Sequence, residues 1–155
     1  MADTGLDAVD CLDITDACNR MALYIDHHRW DDLGALFTDV IDRDYTGIFG
    51  GEPETITREA FIARAAGRMP NFAATQHLVS GHIAAGSGDE ATCTAQVQAS
   101  HYLPTTTGGS MWTCGGQYDL RLVRTRGTWL ISSVTATQCW ATGNFEVMRI
   151  AMGMN

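Results

Sequence analysis

The sequence lacks the segments that mark nucleic-acid-binding and membrane-spanning proteins. Its ten basic residues form no Lys/Arg-rich tract, and a formal net charge of −8 at pH 7 would repel polyphosphates. No run approaches the ~20 apolar residues of a membrane span, and the acidic start MADTGLDAVD is unlike a secretory signal. We therefore expect a cytoplasmic protein with no nucleic-acid partner and no membrane partner.

Cysteine is present but lacks the spacing of a zinc site or a disulfide framework. The five cysteines are an odd number without a C-x-x-C pair, which predicts buried, reduced thiols. The sequence also contains no H-x-x-x-H pair and no Gly-rich phosphate loop. We expect no metal and no other cofactor.

The sequence does contain enough apolar residues for one compact domain. Of its 155 residues, 45% are hydrophobic and only 18% are charged. No internal repeat, low-complexity segment or Pro/Ser-rich linker divides the chain. These features predict a single domain over residues 1–155.

The first half of the chain has mostly helical periodicity. Apolar residues recur at three- or four-residue steps between positions 14 and 28, the pattern of a helix with one buried stripe. A second short helix is predicted over LGALF, whereas VIDRDYTGIF, residues 40 to 49, alternates like a strand. Thr57 is a candidate N-cap for a third helix, REAFIARAAGRM, which ends before Pro70.

The second half alternates with a period of two residues. The alternating segments are residues 75 to 84, 91 to 103, 111 to 124 and 129 to 140, and short Gly-containing turns separate them. Consecutive strands joined by short turns form an antiparallel meander, which buries one face under the preceding helices. The predicted fold class is α+β, with helices first and a curved antiparallel sheet closing over them.

Side-chain parity along these strands places the histidines of FAATQHLVSGHI and of the next strand. His77 shares parity with Val79 and Ile83, the more apolar set, so we expect it to point inward and His82 to point outward. His101 shares parity with apolar residues such as Ala99, which aims a second imidazole at the same interior.

Small residues beside the two inward histidines predict a cavity. Gly81, Ala95 and Ala99 would leave a void that protein interiors do not normally tolerate. The bulky residues expected to surround it are Trp112 and Tyr118 on the third strand and Trp140, which shares a face with Val134 and Gln138, on the fourth. A single inward His or Tyr is more often a core residue, so periodicity alone leaves packing and catalysis both open.

The order of the motifs adds a resemblance. D-x-x-x-W-x-x-L, a strand ending in D-Y, T-Q-H, a strand ending in H and G-x-W follow one another between about residues 10 and 147. This order resembles the SnoaL-like branch of the nuclear-transport-factor-2-like (NTF2-like) superfamily and is most similar to the scytalone dehydratases. The resemblance implies a cone-shaped, curved antiparallel sheet packed on N-terminal helices, an architecture that is also called cystatin-like.

The resemblance also implies site residues. Asp26 matches the family's inward carboxylate, His77 matches the histidine that pairs with it, and Tyr45 and His101 match further catalytic positions. Where the dehydratases have a tyrosine before the carboxylate, this chain has Ile25, and Tyr118 replaces an asparagine. The acid-base groups are therefore kept while substrate-orienting groups differ. The residues expected to contact substrate are Tyr118, Tyr24, Trp112, Trp140 and Phe49.

These residue types permit proton transfer at carbon. An imidazole titrates near neutrality, so His77 can take a proton beside a carbonyl, and Asp26 can orient the ring and stabilise its charged form. The phenols of Tyr45 and Tyr118 can stabilise the resulting enolate, and His101 can steady or protonate a departing hydroxyl. We expect a cofactor-independent lyase or cyclase that acts on a small cyclic ketone or polyketide-like substrate.

The residues and the resemblance leave two alternative functions open. The same His-Asp dyad could serve an isomerase or a dehydrohalogenase. The fold also occurs as a non-catalytic ligand-binding domain or as the partner subunit of ring-hydroxylating oxygenases, a role that would leave Asp26 and His77 apart, solvated or walled off. The family resemblance further implies a homodimer or a homotrimer.

Overall fold

The structure, a computed structural model, describes residues 5–105 and 107–154. The first half contains, in order, α1 (Ala8–Asp26), α2 (Trp30–Gly34), β1 (Phe37–Asp44), α3 (Thr46–Phe49), β2 (Glu54–Thr57) and α4 (Arg58–Arg68). A 3₁₀ turn at Met69–Asn71 leads into the second half, which contains β3 (Ala74–Ser87), β4 (Glu90–Tyr102), β5 (Met111–Thr125), β6 (Thr128–Gly143) and α5 (Glu146–Met152).

All six strands belong to one curved, unclosed sheet with the order β2-β1-β6-β5-β4-β3. Strands β3 to β6 pair as the predicted antiparallel meander. The first strand, β1, lies parallel to β6 and antiparallel to β2, so the sheet as a whole is mixed. The predicted α+β class, with helices packed on a curved sheet, is confirmed.

The first half differs from its prediction in detail. Phe37 begins β1 instead of ending a helix, because it pairs with Ile131 of β6 and is fully buried. The predicted strand over residues 40 to 49 ends at Asp44, whose carboxylate accepts hydrogen bonds from Thr46 at the start of α3. Neither β2 nor α5 was predicted, since both are too short to show a clear period.

The core lies between α1 and the concave face of the sheet. Ile14, Cys18 and Met21 form the buried stripe of α1 and belong to the same apolar cluster as Leu120 and Ile131 of the sheet. Each of these five side chains is at most 1% exposed. Packing of this stripe positions the C-terminal end of α1 over the sheet.

Capping hydrogen bonds fix the starts of the two longer helices. The Asp7 carboxylate accepts a hydrogen bond from the backbone N–H of Asp10 at 2.8 Å at the start of α1. The Thr57 hydroxyl accepts one from the backbone N–H of Ala60 at 3.2 Å, so the predicted cap of α4 is confirmed. The two helices therefore begin where the sequence places capping residues.

A β-bulge at Gly81 reverses the side-chain parity of β3. Ser80 pairs with Gln96 and Ile83 pairs with Thr94, which leaves one extra residue on β3, and Gly81 has a φ of +63°. Beyond the bulge, His82 turns to the inner face and is half-buried, whereas Ile83 is 68% exposed. The prediction that His82 points outward and Ile83 inward is therefore wrong.

A second bulge changes the position of Trp140 on β6. Gly115 pairs with Trp140 and Gly116 pairs with Gln138, so Cys139 is the extra residue. Trp140 consequently lies on the outer face, 48% exposed, with its indole against Gly115. The prediction that Trp140 shares a face with Gln138 is wrong.

The outer face of the sheet exposes several apolar side chains, namely Leu78, Ile83, Tyr102, Met111 and Trp140. The expected homodimer or homotrimer stays a prediction.

All five cysteines are free; Cys18 and Cys93 are buried as predicted, whereas Cys139 is exposed. Among residues 5–105 and 107–154, no helix combines the length and the apolar character needed to cross a bilayer.

Alanine substitutions at two glycines test the bulge. Gly81→Ala should lower the free energy of unfolding by about 1 kcal/mol, because an L-residue at positive φ is strained although no atom lies within 3.8 Å of the added Cβ. Gly67→Ala, in α4 with open space around its Cβ, should raise stability by about 0.4–1 kcal/mol. Urea denaturation measures both. Stabilisation by Gly81→Ala would show that β3 continues without a bulge.

Candidate active site

The concave face of the sheet, together with α3, α4 and α5, surrounds a cavity of about 130 Å³. This volume is close to the ~150 Å³ of an apolar protein cavity that binds benzene, the space of a small ring compound. The walls are mostly apolar and include Ile48, Phe61, Met69, Val97, Met148 and Met152. Polar groups enter at a few places, as expected of a small-molecule site.

Asp26, the last residue of α1, is held by three hydrogen bonds from β3. Its Oδ1 accepts one from the Thr75 hydroxyl at 2.8 Å and lies 2.7 Å from Nδ1 of His77. Its Oδ2 accepts one from the backbone N–H of His77 at 2.7 Å. Burial by itself raises the pKa of Asp26, but these hydrogen bonds and the His77 charge outweigh it, so the pKa lies below its ordinary value.

The ionised carboxylate of Asp26 fixes the tautomer of His77. A carboxylate only accepts hydrogen bonds, so Nδ1 of His77 carries the proton and Nε2 is left as the proton acceptor. The two side chains are only 9% and 10% exposed, and His77 lines the cavity. The predicted contact between Asp26 and His77 is present, in a geometry suited to a general base and its orienting carboxylate.

His101 lies beside His77 in an apolar environment. The two rings meet edge to face with 5.7 Å between their centroids, and Phe72 and Trp112 flank His101 at 5.0 and 5.4 Å. Burial, followed by the charge of His77, lowers the pKa of His101 to about 4. Its Nδ1 is buried and makes no hydrogen bond within the described part of the chain. His101 is therefore a neutral group at the wall of the cavity.

Two phenols line the same cavity. Tyr45 follows β1, and the Arg43 guanidinium lies 4.0 Å from the centroid of its ring. Tyr118 projects from β5. Burial raises the pKa of both hydroxyls, so both stay protonated. Neither hydroxyl donates a hydrogen bond to another residue that the structure describes, which leaves both available to a ligand oxygen.

The five residues expected to contact substrate fall into two groups. Trp112 and Phe49 line the cavity with Tyr118, and their contact with a substrate stays a prediction. Tyr24 does not line the cavity: it is buried in the main core on α1, with the Arg29 guanidinium 4.5 Å from its ring centroid. Trp140 lies on the outer face, because of the bulge in β6, and is also absent from the cavity.

Several residues around the site were not found from the sequence. Thr75 holds Asp26, and its parity with His77 on the same strand was a usable signal. Met148 and Met152 close the cavity from α5, an element whose seven residues gave no clear period. Three arginines also line the cavity, and nothing in the sequence indicated this because charged side chains usually lie on the surface. They are Arg43 of β1 and Arg64 and Arg68 of α4.

No group of three or more His, Cys, Asp or Glu side chains in the described ranges is arranged to hold a metal ion. The polar groups that line the cavity include His77, which Asp26 contacts from behind, together with a neutral histidine, two phenols and arginine side chains. This set can transfer protons and stabilise a developing oxyanion.

The lowered pKa of His101 predicts a pH-dependent stability. An exposed histidine titrates near 6.5, so the unfolded chain binds more protons than the folded protein between pH 6.5 and about 4. The stability contributed by neutral His101 is complete above pH 6.5 and is lost as the pH falls. His101→Gln should reduce the decrease in unfolding free energy between pH 7 and pH 4 by roughly 3 kcal/mol. Urea denaturation at a series of pH values measures this free energy. If it falls equally with pH in the wild type and in His101→Gln, the prediction is contradicted.

Comparison with known proteins assigns the chain to a family. The model of the SnoaL-like domain matches residues 7–135. The solved structure of the Kfla4162 protein from Kribbella flavida is 31% identical, with a TM-score of 0.87 and coverage of 92% of this chain and 99% of its own. No curated protein matches the chain.

Two further solved structures share the fold at lower identity. A candidate scytalone dehydratase from Novosphingobium aromaticivorans is 23% identical, with a TM-score of 0.74 and coverage of 93% of this chain and 92% of its own. A hexachlorocyclohexane dehydrochlorinase is 15% identical, with a TM-score of 0.73 and coverage of 86% of this chain and 87% of its own. The family match covers most of the chain. The chain belongs to the SnoaL-like family of the NTF2-like superfamily.

Proposed function

We propose that this protein is a cofactor-independent lyase or cyclase of the dehydratase type, which acts on a small cyclic ketone. The observation that carries the proposal is the buried Asp26–His77 pair, with 2.7 Å between Oδ1 and Nδ1, at the wall of an apolar cavity. A pair so oriented leaves one unprotonated imidazole nitrogen for a substrate proton.

In the proposed dehydration, Nε2 of His77 removes a proton from the carbon beside the substrate carbonyl. The electron pair forms an enolate, and the hydroxyls of Tyr45 or Tyr118 stabilise its oxygen by donating hydrogen bonds. The enolate then expels the hydroxyl group from the next carbon, the C–O bond breaks, and a C=C bond forms. The proton held by His77 leaves with the hydroxyl as water, so the enzyme is restored without an oxidant or a reductant.

His101 acts in this scheme as a neutral group. Because its pKa is about 4, the ring is not an imidazolium near neutral pH. It therefore steadies the departing hydroxyl through a hydrogen bond instead of delivering a proton from a charged ring. This narrows the role that the sequence left open for His101.

The burial of the dyad supports catalysis over a pure binding role. A binding domain or an oxygenase partner subunit does not need an imidazole of fixed tautomer at the wall of its cavity, whereas a base needs both a fixed tautomer and protection from water. An isomerase or a dehydrohalogenase would use the same base, and the difference lies in the group that leaves. Likeness of fold does not choose among these reactions.

Replacement of the base tests the proposal. We take 3-hydroxy-1-tetralone as probe, a cyclic β-hydroxyketone that becomes 1-naphthol on loss of water and is followed by naphthol fluorescence. His77→Ala should lower the rate above background by about 10²- to 10⁴-fold, because a positioned general base is lost. Thermal unfolding of the variant checks that it folds.

His82→Ala is the matched control, since His82 lies on the same strand but does not line the cavity. It should keep most of the wild-type activity. Full activity of His77→Ala would remove the proposed base. Exchange of the probe's α-proton for deuterium without release of water would instead indicate an isomerase.

A double-variant cycle tests whether Asp26 acts through His77. Asp26→Asn keeps the shape but removes the charge, and it should lower the rate by about 10²- to 10⁴-fold. If the carboxylate works only by orienting and charging the ring, Asp26→Asn/His77→Ala should be about as slow as His77→Ala alone. Multiplicative losses would mean independent roles, such as Asp26 taking the proton itself. An unchanged rate in Asp26→Asn would show that the carboxylate takes no part in the reaction.

A further inference from the structure

Three arginines form a cationic cluster where the catalytic cavity opens into a second one. The second cavity, of about 230 Å³, is more polar, and it shares Arg43, Arg64 and Arg68 with the first. Arg43 lies on β1, and Arg64 and Arg68 lie one turn apart on α4. We name these three residues the arginine cluster. It is unexpected in an acidic chain whose net charge is −8.

The cluster contains more positive charge than its own carboxylate neutralises. Glu54 accepts a hydrogen bond from Nη1 of Arg43 at 2.7 Å and also binds both terminal nitrogens of Arg64. Arg68 has no ion pair and no hydrogen bond from its side chain within residues 5–105 and 107–154. The cluster thus has three guanidinium groups and one carboxylate, which binds only two of them.

The surroundings of Arg68 favour an incoming anion. Its side chain is partly buried and lines both cavities. Burial, together with the positive charges of Arg64 and Arg43, lowers the pKa of the Arg68 guanidinium. A carboxylate at this place would relieve the repulsion and pair with a planar fork of N–H donors, the geometry in which arginine binds carboxylates most strongly.

We propose that the substrate carries a carboxylate, attached to its apolar ring, that binds Arg68 while the ring occupies the catalytic cavity. The inference rests on the proposed function in that both use the same cavity. The apolar walls, including Phe61 and Met152, fit the ring, and the dyad lies on a different wall from α4. Arg68 is thus a specificity-determining residue that selects cyclic keto acids over neutral ketones.

A monocarboxylate matches the one unpaired guanidinium of the cluster better than a phosphate ester does. Arg43 and Arg64 are already engaged by Glu54, so one further negative charge pairs with the remaining guanidinium. A phosphate dianion would have to draw Arg64 away from Glu54. The two kinds of anion therefore make different predictions for Arg64.

Equilibrium binding of simple probes tests the inference without turnover. Benzoate, benzamide and phenyl phosphate are titrated into the wild type and into Arg68→Gln by calorimetry. Benzoate should bind the wild type and lose about 10- to 100-fold in affinity in Arg68→Gln, the loss typical of a charged hydrogen-bonded pair. Benzamide, which has the same shape but no charge, should bind both proteins equally.

Arg121→Gln is the matched control, because Arg121 is an exposed arginine, paired with Asp42, outside both cavities. It should leave the affinity for benzoate unchanged. Raising the ionic strength should weaken benzoate binding and leave benzamide binding unchanged. Equal benzoate affinity in the wild type and in Arg68→Gln would overturn the inference. Tighter binding of phenyl phosphate, lost in Arg64→Gln, would overturn the choice of a carboxylate.

The outcome is separable from that of the proposed function. His77→Ala should retain benzoate binding, because the base is not part of the arginine cluster. If His77→Ala stays active but Arg68→Gln loses benzoate, the reaction proposal fails and the anion site stands. If His77→Ala is inactive but Arg68→Gln keeps its affinity for benzoate, His77 remains the proposed base and the substrate carries no carboxylate.

Discussion

The site depends on the hydrogen bonds that the Asp26 carboxylate accepts from Thr75 and His77. A carboxylate at the last residue of a helix lies at the negative end of the helix dipole, where it is disfavoured. Three donors from β3 offset this cost. Since β3 is an edge strand of the sheet, Asp26 also satisfies a backbone N–H that no neighbouring strand reaches. One side chain therefore joins α1 to the sheet and orients the imidazole.

The two cavity histidines have the same chemistry but different surroundings, and these assign different roles to them. His77 contacts a carboxylate, which orients it and can stabilise a proton that it gains. His101 lies against the rings of Phe72 and Trp112, where charge is costly and the ring stays neutral. A proton acceptor thus sits beside a group that only forms hydrogen bonds. In the proposed reaction, this separation would let one small cavity both remove a proton and steady a leaving group.

The sequence predicted the meander and the inward positions of His77 and His101, because side-chain parity is reliable along a regular strand. It failed at His82 and Trp140, where an extra residue reverses the parity. Gly81 was a visible signal, since a glycine inside a strand often marks a bulge. Cys139 gave no such signal.

The other failures have different physical causes. The resemblance supplied the pairing of Asp26 with His77, which periodicity alone could not, because the two residues lie on separate elements 51 positions apart. The arginine cluster was missed because its charges meet only when α4 packs beside β1. Local sequence patterns do not report such contacts.

The division of the cavity between structural elements has a consequence for how the protein can change. The dyad belongs to α1 and β3, whereas the arginines and much of the apolar wall belong to β1, α4 and α5. Under the proposed function, substitutions on the second group can alter the molecule that is accepted without moving the proposed base. A lineage, or an engineer, can therefore diversify substrates on this scaffold by small steps that each retain a working base, which is one physical reason why a fold can host many chemistries.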